Sequence, residues 1–172
     1  MPRVYLIGFM GAGKTTVGKQ LARKIKWSFA DTDSIAEREL GMTVNEVFNE
    51  LGEEWFRKYE QKVLIKTTSF KNTIISTGGG TPCFNDNIDT IINNGLCIYL
   101  HMPNKSIVAR LLASKRTRPL VYGLSKAELD EYVEKKMAER EEIYSKAHFT
   151  VNALAPDLIY SIKQCVEDYF RL

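Results

Sequence analysis

Two hydrophobic rhythms alternate along the chain. One consists of short, nearly unbroken apolar runs: Val4-Tyr5-Leu6-Ile7, Ile74-Ile75, and Leu96-Cys97-Ile98-Tyr99-Leu100. The other places apolar side chains three or four residues apart, as in Val17, Leu21 and Ile25, or Leu129, Val133 and Met137. Continuous apolar runs mark strands buried on both faces, and the wider spacing marks helices with one apolar stripe. The pattern predicts strands over about residues 3–8, 27–30, 73–76, 96–100 and 148–151. It predicts helices over about 14–26, 35–40, 53–70, 85–93, 104–114, 125–146 and 156–170, with a further short helix after Thr43. Ser34 with Glu37, Thr43 with Glu46, and Ser125 with Glu128 have the spacing of capping boxes. Gly41, Gly52 and Gly95 fall where helices should stop, and Pro156 where the last should open.

Strands alternating with helices imply an α/β domain whose parallel sheet is covered on both faces, with right-handed crossovers. Ligands of such sheets bind beyond the carboxyl ends of the strands. That rim collects the loop after Ile7, the Asp31/Asp33 pair, Gly78-Gly79-Gly80 and His101.

The loop carries the sharpest chemical signal. Gly8-Phe9-Met10-Gly11-Ala12-Gly13-Lys14-Thr15 fits G-x-x-x-x-G-K-[ST], with a strand before it and a helix after it. Glycines let several backbone N–H groups converge on one anion, and the helix adds its free N–H groups and positive dipole end. Lys14 would reach the β- and γ-phosphates, and the Thr15 hydroxyl would ligate Mg²⁺.

Other positions are more equivocal. Asp31 and Asp33 share one side if the strand continues; one would serve Mg²⁺ and the other would accept a proton from an attacking hydroxyl. Helix capping by Asp33 is the bland alternative, weakened because Ser34 with Glu37 already supplies a cap. Arg140 lies within an arc of about 80° that holds Leu129, Val133, Met137 and Tyr144, so it faces inward and needs a carboxylate or an anionic ligand. Arg57 has Glu53 four residues before it, and periodicity alone favours a surface pair worth roughly 0.2–0.5 kcal/mol. Glu60 falls on the apolar stripe and suits a buried partner for an arginine. Three glycines directly after a strand suggest close approach by another group, or merely a turn. Lys115, Arg116 and Arg118 precede Pro119, a basic segment that reads as a lid near phosphate or as a solvated charge cluster. His101 and His148 have no evident acid or metal partner, and His148 fits strand packing.

Composition narrows the field. A chain of 172 residues suits one domain, spanning 1–172. No internal repeat, low-complexity segment or linker interrupts it. A net charge of +3 is too small to point to nucleic acid. Cys83, Cys97 and Cys165 are far apart and lie in no Cys/His cluster, which argues against zinc and a disulfide framework. No apolar stretch is long enough for a membrane span and the chain starts in a strand, so a cytoplasmic protein with no membrane partner is expected.

Together these pieces resemble the shikimate kinases, small P-loop enzymes of the nucleoside-monophosphate-kinase-like group. The resemblance runs from about Val4 to Val151. Its runs are GFMGAGKTTVGKQLA, FADTD, EVFNELGEEWFRKYE, ISTGGG, RTRPL and AEREEIY. It implies a three-layer fold with a five-stranded parallel sheet in the order 2-3-1-4-5, a substrate-binding region over about 32–61 and a lid over about 112–124. It implies transfer of the ATP γ-phosphoryl group to the 3-hydroxyl of shikimate, with Mg²⁺, by a monomer. Gly11, Ala12, Gly13, Lys14, Thr15 and Thr16 would bind ATP, with Thr15 and Asp31 at the metal. Asp33 would bind the acceptor hydroxyls and act as base or orienter. Arg57 and Arg140 would grip the carboxylate, and Gly78, Gly79 and Gly80 would line the acceptor, Gly79 donating its N–H. Arg118 would close over the phosphates and Arg116 would lie on the adenine side. The family has a further nucleotide contact before the last helix, where Asn152-Ala153-Leu154-Ala155 offers no clear counterpart. Rival readings are a kinase for another small acid such as gluconate, a nucleoside monophosphate kinase, and a nucleotide-binding regulatory module without turnover.

Overall fold

The structure is a computed structural model and describes residues 2–114 and 119–171. In chain order it forms β1 (Arg3–Ile7), α1 (Lys14–Ile25), β2 (Ser28–Asp31), α2 (Thr32–Leu40), α3 (Val44–Leu51) and α4 (Glu53–Thr67). β3 (Thr73–Ser76), α5 (Asn87–Asn94), β4 (Leu96–His101) and α6 (Asn104–Ala113) follow. α7 (Lys126–Tyr144), β5 (Phe149–Asn152) and α8 (Leu158–Phe170) complete it, with single 3₁₀ turns at Thr81–Cys83 and Pro119–Val121.

The five strands make one parallel sheet in the order β2-β3-β1-β4-β5. Val4 to Ile7 and Leu96 to Leu100 are fully buried, as the apolar runs require when helices cover both faces. Register brings the strand ends level: Asp31 pairs with Ser76, Leu6 also pairs with Ser76, and His101 pairs with Asn152. The site residues therefore meet at one rim. A second, smaller apolar cluster of Ile35, Ala36, Val47, Phe56 and Val63 joins α2, α3 and α4 beside that rim. It fixes the shelf on which Arg57 stands.

Two sequence expectations fail here. β2 does not continue through Asp33, because the chain enters helix α2 at Thr32. Asp31 and Asp33 thus do not alternate along a strand. Nor do Ser34 and Glu37 form a capping box. Asp31 is the N-cap, its Oδ1 accepting from the N–H groups of Asp33 (3.1 Å) and Ser34 (3.3 Å), while Glu37 Oε1 accepts from Val44 N–H. A carboxylate one residue before the first turn satisfies those free N–H groups better than a serine already inside it. The boxes at Thr43/Glu46 and Ser125/Glu128 do form.

Candidate active site

The P-loop links β1 to α1, and Gly13 shows why the motif needs glycine. It caps α1 at φ 93°, a left-handed conformation that a side chain disfavours. Lys14 opens the helix and is buried, its Nζ donating to the carbonyls of Gly8 (2.7 Å) and Phe9 (3.0 Å). Beside it, Thr15 Oγ1 donates to Asp31 Oδ2 at 2.7 Å, with Ser76 Oγ 3.4 Å away. Asp31 therefore serves two helices, closing α2 with one oxygen and meeting α1 with the other. This group of hard oxygen donors beside a phosphate loop has the chemistry Mg²⁺ requires, a metal held by one or two protein oxygens plus substrate phosphates.

Across the rim stands Arg57. It is 7% exposed, so the surface pair favoured by periodicity is overturned. Its Nε and Nη2 do donate to Glu53 Oε1 (3.2 and 3.0 Å), but Nη1 donates to buried Glu60 Oε2 at 2.9 Å. The Phe84 ring lies 4.3 Å below the guanidinium, with Phe48 and Phe56 at 5.7 Å. Apolar packing from Phe84 and from Phe48 of α3 removes the surface that helical spacing suggested. Glu60, 2% exposed, is the buried partner its position on the stripe predicts, and its Oε1 also accepts from Thr81 Oγ1 at 2.5 Å. Removing one member of such a buried pair typically costs about 3–5 kcal/mol, so Arg57 is held firmly.

Arg140 projects inward from α7 and is 6% exposed. Its guanidinium sits 5.2 Å from the Phe9 ring, and its buried Nη1 meets no hydrogen-bond acceptor among the described residues. A buried donor without a partner costs about 1–3 kcal/mol, and a carboxylate in the adjoining space would satisfy it. Of the two partners left open for an inward arginine, no internal carboxylate among the described residues takes that nitrogen.

Gly78, Gly79 and Gly80 run between these parts, and their contacts account for the missing side chains. A Cβ on Gly79 would lie 2.9 Å from the Met10 amide nitrogen in the P-loop. One on Gly80 would lie 2.7 Å from Arg57 Nη2, and one on Gly78 would lie 3.0 Å from Asp33 Oδ1. Close approach, rather than turn flexibility, is what the run provides.

One cavity of about 430 Å³ touches Gly11, Gly13, Lys14, Thr15, Thr16, Asp31, Asp33, Arg57, Gly78 to Gly80 and Arg140. Ala12 is buried behind it and packs in the core. Arg116 and Arg118, with Lys115, lie outside the described residues; Leu120 from the following turn lines the cavity. His101 ends β4 against the Tyr99 ring, and His148 accepts the Cys97 N–H through Nδ1 at 2.9 Å. Periodicity missed Arg110, whose Nη1 donates to Gly11 O at 3.3 Å from the last turn of α6. A basic residue near the end of a helix gave no sign of a phosphate loop behind it. Tyr144 was also missed. It shares the stripe with Arg140 four residues earlier, but an aromatic on an inward face reads as core.

A phosphate cradle and a polar acceptor space in one cavity, at the carboxyl rim of a 2-3-1-4-5 sheet, define a P-loop phosphotransferase. The shikimate kinase family profile matches residues 10–168. A shikimate kinase of Parabacteroides distasonis is 41% identical over 153 residues, covering 89% of this chain and 88% of that one. The crystal structure of the enzyme from Bacteroides thetaiotaomicron superposes with a TM-score of 0.90 at 36% identity, covering 99% of both chains. The enzyme from Acinetobacter baumannii in complex with shikimate gives 0.88 at 30% identity, over 99% of this chain and 94% of that one. The chain belongs to the shikimate kinase family, whose members are ATP-using kinases.

Proposed function

We propose that this protein transfers the γ-phosphoryl group of ATP to the 3-hydroxyl of shikimate, giving shikimate 3-phosphate and ADP on the way to chorismate and the aromatic amino acids. The observation that carries this reading is the single cavity in which the P-loop faces Asp33, Arg57 and Arg140. Shikimate is a carboxylate that bears ring hydroxyls. Arg57 and Arg140 hold its carboxylate, a planar group suited to two guanidinium forks. Asp33, at the start of α2, accepts from the ring hydroxyls and takes the proton of the attacking one. The backbone N–H groups of the glycine run add to that grip.

On the nucleotide side, Gly11 to Thr16 wrap the phosphates. Lys14 exchanges its carbonyl partners for phosphate oxygens. Thr15 and Asp31 would hold Mg²⁺, which would supply positive charge against the phosphates. Arg118 is assigned to the transferring phosphate and Arg116 to the adenine side on the family pattern alone. The transition state of phosphoryl transfer is loose, so positioning and charge do most of the work. The reading takes the protein as a cytoplasmic monomer.

Coupled ADP-release assays with and without shikimate test it. ADP formation that depends on shikimate is expected. Equal release in both cases would remove the kinase assignment, and a response to gluconate alone would change the acceptor.

A further inference from the structure

The phenol of Tyr144 is fully buried, yet it stands among the polar groups of the site. Its hydroxyl donates to the Gly79 carbonyl at 2.6 Å. Its ring packs on Tyr99, centroids 5.0 Å apart, and the Tyr99 hydroxyl is itself tied to Glu141 Oε2 at 3.1 Å. The phenol is thus boxed in and points one way. Burial raises its pKa, so it remains a donor at neutral pH.

What the phenol holds is more telling than that it is held. In a trans peptide the carbonyl of one residue and the N–H of the next point in opposite directions. Fixing the Gly79 carbonyl therefore fixes the Gly80 N–H and the plane of that peptide. The preceding peptide is set separately, by Thr81 N–H donating to the Gly78 carbonyl at 3.2 Å. Gly80 is the residue against which the Arg57 guanidinium rests, with no room for even a methyl group. Arg140 lies one helical turn before Tyr144, on the same buried face of α7. One hydroxyl thus fixes the peptide against Arg57 from the helix that carries Arg140.

We propose that Tyr144 is a positioning residue for the carboxylate grip, seating Arg57 through the Gly79–Gly80 peptide and so setting it relative to Arg140, which the same helix carries. This rests on the reading that Arg57 and Arg140 receive the acceptor's carboxylate. Tyr144 need not touch the acceptor.

Tyr144→Phe removes one oxygen and keeps the ring. Steady-state kinetics of the full chain should show the shikimate KM raised about fivefold to tenfold, with the ATP KM within about twofold. In a double-mutant cycle with Arg140→Lys, the two effects on the shikimate KM should fall clearly short of multiplying. Glu139→Gln, an exposed change on the same helix, should leave the shikimate KM unchanged. Unchanged KM values in Tyr144→Phe, or equal rises for ATP and shikimate, would overturn the proposal. So would independent effects in the cycle, or failure of Tyr144→Phe to fold, since the hydroxyl would then serve the fold alone. The two readings fail separately: if Arg140→Lys itself leaves the shikimate KM unchanged, the carboxylate assignment is wrong. If Arg140→Lys raises it and Tyr144→Phe does not, only the positioning role is wrong.

Discussion

Asp33 sits in the first turn of α2, where its charge also suits the positive end of the helix. Its carboxylate reaches the glycine run and lines the cavity opposite Lys14. Replacing it by asparagine keeps the shape and removes the proposed base. Asp33→Asn should lower kcat by about 10²- to 10⁴-fold with little change in ATP KM; unchanged turnover would end its catalytic role. Gly80→Ala makes a complementary prediction. The backbone there, at φ −84°, accepts alanine, so the added methyl acts on the Arg57 guanidinium rather than on the chain. Because Glu53, Glu60 and Phe84 confine that guanidinium, the shikimate KM should rise about tenfold to a hundredfold in a protein of near-normal melting temperature. A melting temperature that collapses would show that the backbone yields instead. Arg140 was readable as an inward arginine from spacing alone, since charge on an apolar stripe is costly and demands a reason. Arg57 was not, because the rings that enclose it, Phe48 and Phe84, lie on other elements and are silent in a helical wheel.

The elements themselves were more legible than their ends. Among the described residues, β1, β3, β4 and the α-helices follow from runs of apolar residues and their spacing. Boundaries moved where a side chain decided between two conformations. Asp31 ended β2 by capping α2, and the 3₁₀ turn at Thr81–Cys83 left no periodic trace. β4 and β5 illustrate a further point. His148, just before β5, accepts the Cys97 N–H through Nδ1, an interaction open only to the neutral ring. The residue is exposed overall, but desolvation of the ring where it packs against β4 and Tyr169 lowers its pKa below the ordinary 6.5. Above that value the ring is neutral in both states and adds no pH dependence. As pH falls through it, the unfolded chain takes up the proton first, and stability declines until the folded ring protonates as well. Urea unfolding of the wild type should therefore lose more stability between about pH 7 and about pH 5.5 than His148→Asn does. Equal losses would show that this ring does not contribute.

For the whole molecule, the decisive feature is that two separately built halves face each other. The sheet with α1 supplies the phosphate cradle, and α2 to α4 with α7 supply the acceptor side. The Gly78–Gly80 run is the seam, touching Met10 of the loop and Arg57 of the shelf. Parallel topology made this rim predictable, since strands 1, 2 and 3 all deliver their carboxyl ends to it. The packing of the seam was not predictable, because three glycines carry no side-chain pattern to read.

That arrangement stands or falls on whether Arg140 receives the acceptor's carboxylate. Calorimetric titration of shikimate into the wild-type protein and into Arg140→Ala measures this directly. The account predicts measurable binding to the wild type and a Kd at least about tenfold weaker for the variant, the worth of a charge-assisted hydrogen bond, in a protein that remains folded. Equal affinity for both would contradict it.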